Sequence, residues 1–173
     1  MNNRSLLPDL MLRGFAEVTP ALLCVMGIRA LVCVIVYKLV TYDDPQPTEP
    51  LMDWFSEMTR AGVRIAFVSN NDEARVEGFN RQLGYVAFAD AGKPHPKKIK
   101  LAIERMGVDR AECAMLGDQV FTDVLAGRMA GIRCLLVPPI KDKKTLLFRF
   151  KRALEVPILK RYRRLEARKK GDQ

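Results

Sequence analysis

The stretch ALVCVIVYKLVTYDD, residues 30–44, begins with an unbroken apolar run, Ala30 to Val36, and then turns polar. A run of that length, rich in β-branched residues, reads as a strand covered on both faces. The acidic pair Asp43-Asp44 and Pro45 mark a loop beyond it. A strand buried on both sides belongs to a parallel sheet between helices, so this segment sets the expectation for the whole chain.

The neighbouring segments keep the same rhythm. Upstream, ALLCVMGIR reads as a short helix and a turn at Gly27. Downstream, TYDDPQPTEP is a loop in which Thr48 can cap the helix LMDWFSEMTRAG. Leu51, Trp54, Phe55 and Met58 recur at helical spacing, and Gly62 closes that helix. Then come a strand, VRIAFVSNN, and a helix, DEARVEGFNRQLG. A short strand, YVAFAD, precedes the helix PKKIKLAIERMG. ECAMLGD reads as a strand, FTDVLAGRMAG as a helix and IRCLLVP as a strand. Alternation of this kind predicts an α/β, Rossmann-like fold: right-handed crossovers, a parallel sheet, helices on both faces.

Ligands of such sheets sit beyond the carboxyl ends of the strands. The first strand ends in Val34, Val36, Tyr37 and Lys38. The second offers Ser69, Asn70 and Asn71, a hydroxyl, amides and backbone N–H groups suited to an anion. A Gly-Lys-Pro turn places Lys93 as a point charge for phosphate. LGDQVFTD brings a close-turning Gly117, then Asp118 and Asp123, carboxylates of the kind that hold Mg²⁺. Each piece alone is an ordinary turn; the four in this order describe a phosphate-and-magnesium pocket.

This order resembles the haloacid dehalogenase superfamily of phosphatases, and within it the small subfamily IIIA proteins of the YqeG type. The matching pieces are LLPD at 6–9, Thr19-Pro20, GIRALV, VSNN, GKP, GDQVFTD and LLVPP. The resemblance implies that Ser69 with Asn70 binds phosphate. It implies that Lys93 steadies nucleophile and phosphoryl group, and that Asp118 ligates Mg²⁺ with support from Asp123. It also implies a first strand ending in Asp-x-Asp-Asn-Thr, whose first Asp attacks phosphorus and whose second is the acid/base. Aligned without gaps, those positions are Val34, Val36, Tyr37 and Lys38. Valine can neither attack nor shuttle a proton. The expectation is therefore a family member without catalysis, with magnesium weakened or absent, and with Lys38 as a candidate to replace the metal's charge. Asp43 and Asp44 are adjacent, whereas two side chains on one side of an extended segment need alternate spacing. His95, the single histidine, lies between prolines and is expected exposed.

Only about a dozen residues separate the first strand from its helix, leaving no room for a cap domain. By resemblance, that goes with bulky phosphates, including lipid phosphates such as phosphatidylglycerophosphate.

Charge divides the chain at residue 140. Residues 141–173 hold 13 Lys+Arg against 4 Asp+Glu, whereas the rest is balanced at 16 of each. An α/β domain over 1–140 followed by a basic extension over 141–173 is expected, the latter as two amphipathic helices split at Pro157. Such a stretch suits an anionic membrane surface, less readily a nucleic acid, or simply docks its apolar face on the domain. The whole chain is 49% apolar and 28% charged, as in a globular chain. The four cysteines lack metal-ligand spacing and fit free thiols in a reducing, cytoplasmic setting. Residues 21–37 are too short, and interrupted by Gly27 and Arg29, for a membrane span, and no secretory signal is evident at the start.

Overall fold

A computed structural model describes residues 6–35, 46–138 and 146–171, the last segment with side chains over 153–168. Val36, Tyr37, Lys38, Asp43 and Asp44 lie outside the described residues. Six strands form one parallel sheet: β1 (Leu10–Met11), β2 (Ala30–Cys33), β3 (Arg64–Val68), β4 (Val86–Phe88), β5 (Cys113–Gly117) and β6 (Arg133–Leu136). Their order is β1-β6-β5-β2-β3-β4. The chain winds outward from β2 through β3 to β4, then returns to β5 on the other side of β2. The order therefore reverses between β2 and β5, the place where such sheets open a crevice.

Alternate side chains feed two apolar layers. Leu31, Cys33, Ile65, Phe67, Ala114 and Leu116 face one layer, under α1 (Pro20–Val25), α2 (Glu49–Arg60) and α3 (Glu73–Asn80). Ala30, Val32, Ala66, Val68, Cys113 and Met115 face the other, under α4 (Lys97–Met106) and α5 (Leu125–Ala130). The first layer is aromatic: Phe55 meets Trp54, Phe67 and Phe79 edge-on. Trp54 donates its indole N–H to the Val18 carbonyl at 2.8 Å, so its polar edge is satisfied inside the core. On the second face α5 rides close because Gly127 has no side chain; a Cβ there would stand 2.7 Å from the Cys134 sulfur.

Four local readings change. Thr48 is the N-cap of α2, but its side chain makes no capping bond; its carbonyl takes the N–H groups of Leu51 and Met52. The segment after β5 opens as a wide π-turn, Val120–Val124, before α5 begins. The short edge strand β1 was not anticipated. It is pinned by Asp9, which accepts from the Cys134 N–H at 2.7 Å and pairs with the buried Arg128 at 2.9 Å. Last, Pro157 does not split the C-terminal segment: α6 runs unbroken from Leu146 to Gly171. A helix-interior proline forfeits one hydrogen bond and costs roughly 3 kcal/mol. Here residues on both sides of it, Glu155, Ile158, Leu159 and Tyr162, dock on the body, so tertiary packing holds the two halves on one axis. Among the described residues, no helix is long and apolar enough to cross a membrane.

Candidate functional site

The reversal between β2 and β5 collects the residues that the strand ends single out. Asp118 leaves β5, and Asp123 returns to it from the π-turn. The Asp123 carboxylate is only 1% exposed and takes four donors. Its Oδ1 accepts from Lys93 Nζ at 2.8 Å and Thr122 Oγ1 at 3.3 Å. Its Oδ2 accepts from the backbone N–H groups of Asp118 and Gln119, each at 3.1 Å. Gly117 makes this approach possible: a Cβ on it would lie 2.4 Å from the Asp123 Cβ. The wide turn is what swings Asp123 back toward its own strand, and π-turns of this sort gather at functional sites.

Lys93 is equally enclosed, its side chain 3% exposed. Its backbone is gripped by Asn70, whose Oδ1 accepts from the Lys93 N–H at 2.8 Å while its Nδ2 donates to the Lys93 carbonyl at 3.2 Å. The adjoining Ser69 is buried, and its Oγ accepts from the Asn71 N–H at 3.1 Å, which keeps the hydroxyl proton available to donate. Thus the loops after β3, β4 and β5 form one hydrogen-bonded network through Asn70, Lys93, Asp123 and Asp118. The first N–H groups of α3 are less available than the sequence suggests, because Asp72 caps them at Arg75 N. His95 is exposed, with its Nδ1 accepting from Lys97 N–H.

Val34 follows β2 and donates its N–H to the Leu116 carbonyl at 3.1 Å, which sets it beside the turn into Gly117 and Asp118. It lines a cavity of about 220 Å³ with Phe15, Leu51, Trp54, Gly117 and Asp118. Cys33 also faces that cavity but is no substitute nucleophile. Burial pushes its thiol from 9.0 up to about 12, so it stays protonated near neutrality. Burial likewise raises Cys134 to about 12, and burial first, then the nearby Glu112 and Asp109, raises Cys113 to about 11. An unfolded thiol ionises near 9 while the folded one keeps its proton, so this stabilisation is complete below pH 9 and is lost as pH climbs toward 12. The expected result is a folding equilibrium constant that drops up to about tenfold per pH unit per thiol above pH 9. Urea titrations at pH 8 and 10.5 should show a shallower loss in Cys33→Ala.

A divalent cation fits the described side chains poorly. Hard cations want several free oxygens. Asp123 is engaged by four hydrogen-bond donors, so its oxygens are already committed, and no cluster of three metal-ligating side chains occurs among the described residues. Asp123 is placed as a brace for Lys93 and for the Asp118 turn.

Comparison with known proteins bears on the family and the fold. The chain is 33% identical over 164 residues to the probable phosphatase YqeG of Bacillus subtilis, covering 95% of each. Its fold is similar to that of an uncharacterised Listeria monocytogenes protein, with TM-score 0.53 at 13% identity over 68% of this chain and 85% of that one. It is also similar to a 3-deoxy-D-manno-octulosonate 8-phosphate phosphatase structure, described as putative, from Vibrio cholerae, with TM-score 0.51 at 14% identity over 66% and 70%. The haloacid dehalogenase-like hydrolase model matches residues 8–131, and the chain belongs to that family.

Proposed function

We propose that this chain binds a phosphomonoester in the crevice between β2 and β5 and does not hydrolyse it. The observation that carries this reading is Val34: an apolar side chain stands where β2 meets Gly117 and Asp118, at the position that the resemblance assigns to the family's nucleophile. Binding rests on what is still in place. The Lys93 ammonium supplies charge, Ser69 a hydroxyl donor and Asn70 the grip that orients Lys93. Magnesium would rest on Asp118 alone among these side chains and so binds weakly. The apolar wall of Phe15, Leu51 and Trp54 favours a ligand whose phosphate carries an apolar body, as in a lipid phosphate. Inorganic phosphate in millimolar excess should raise the unfolding temperature, as any ligand of the native state does, with no phosphate released from an aryl phosphate. Turnover, or no protection, would oppose the reading.

A second reading concerns where the chain works. The exposed face of α6 carries Lys160, Arg161, Arg163, Arg164 and Arg168, whereas Glu155 and Glu166 turn inward. Leu154 and Leu165 are exposed along the flank of that face. This segregation supports attachment to an anionic membrane surface, each basic residue near it contributing about 1 kcal/mol. The full chain should bind vesicles containing phosphatidylglycerol but not neutral ones. Arg161→Glu with Arg164→Glu and Arg168→Glu should abolish binding; equal binding to neutral vesicles, or tighter salt-sensitive binding to RNA, would go against it.

A further inference from the structure

The C-terminal helix reaches the crevice from outside the domain. Its inward residues, Glu155, Ile158, Leu159, Tyr162 and Glu166, follow the three-and-four spacing of one helical face. Ile158 and Leu159 pack on the layer that holds Val120 and Val124. The Tyr162 hydroxyl accepts from the Met11 N–H at 3.2 Å. Apolar residues and one tyrosine would suffice to dock a helix. Yet the face also buries a carboxylate, Glu155, 2% exposed. A buried carboxylate is costly unless it is bonded, so its partner indicates its purpose.

One such partner is the Val120 N–H, which donates to Glu155 Oε1 at 2.8 Å. Val120 lies two residues beyond Asp118, whose own N–H, with that of Gln119, is held by Asp123. Three successive N–H groups leaving β5 are therefore fixed by two carboxylates, one from the domain and one from α6. A separate feature joins the same parts. A groove of about 690 Å³ has Asp118 in its lining together with Leu159, Tyr162, Arg163 and Glu166 of α6.

We infer that Glu155 is a positioning residue for the Asp118 turn, and that α6 is a wall of the phosphate pocket rather than an appendage to it. The link to ligand binding rests on the phosphate-binding reading above; the link to the turn does not. Whatever seats or lifts α6 then changes how firmly the Asp118 turn is held.

The test uses the full chain with Glu155→Ala and Glu155→Gln, the latter keeping an acceptor oxygen. Native-state amide exchange at Asp118, Gln119 and Val120 is measured beside inorganic phosphate affinity and global unfolding in urea. In the alanine variant, exchange at Val120 is expected to speed up about tenfold or more, with Asp118 and Gln119 following and phosphate affinity falling about tenfold. The glutamine variant should stay close to the parent in all of these. Should the alanine variant fail to fold, Glu155→Asp, one methylene shorter, is expected to give the same faster exchange. The inference is overturned if global stability drops while turn exchange and phosphate affinity hold, or if the glutamine variant behaves like alanine. Absence of phosphate binding in the parent chain would remove the pocket reading, while the exchange comparison would still decide what Glu155 does.

Discussion

Asp123→Ala is expected to destabilise the chain by about 3–5 kcal/mol in urea unfolding, the largest loss from any single side chain of the site. The change strips a buried ammonium of its counter-charge and frees the N–H groups of Asp118 and Gln119 together. Lys93→Met should cost less, because the Asp123 carboxylate keeps those two backbone donors and Thr122. In the double variant no charge is stranded, so its loss should fall well short of the sum, with a coupling of about 1–3 kcal/mol. Small and additive losses would mean that the pair is not the brace described here.

The second large effect is a gain. Val34→Asp, Val36→Asp, Tyr37→Asn and Lys38→Thr, made together, should create hydrolysis of an aryl phosphate in magnesium where the parent shows none. The acid/base role alone is typically worth about 10²–10⁴ in rate, and the nucleophile opens the covalent route itself. A gain of at least about 10⁴ over the parent is therefore expected, and Val34→Asp alone should recover only part of it. The new carboxylate replaces a valine that packs against the core layer of α4 and α5, so a stability loss of about 1–3 kcal/mol should accompany the gain. A rebuilt chain that folds and remains inert would show that more than this strand end has been lost.

Much of the fold was legible because its signals are local. The apolar run from Ala30, Gly27 and Gly62 after helices, and the spacing of Leu51, Trp54, Phe55 and Met58 each constrain their own neighbourhood. The left-handed backbone at Gly27 and Gly62 agrees with that reading. What escaped depends on distant partners. β1 is two residues long and exists because Asp9, Arg128 and Cys134 meet across the chain. Pro157 reads as a break until the docking on either side of it is known. The identities Ser69, Asn70, Lys93, Asp118 and Asp123 stood out in the sequence, but their division of labour did not. A carboxylate at a strand end suggests a metal ligand; the four donors on Asp123 add a contact network that the sequence alone did not show. Glu155 carried no signal at all, since one acid in a basic helix looks like a solvated i, i+4 partner.

The account rests on the missing acid at the end of β2. Phosphate release by the purified full chain, with an aryl phosphate and magnesium, tests it most directly when run beside Asp118→Asn. The account predicts that both proteins stay at the buffer rate. Turnover by the parent that disappears in Asp118→Asn would contradict it.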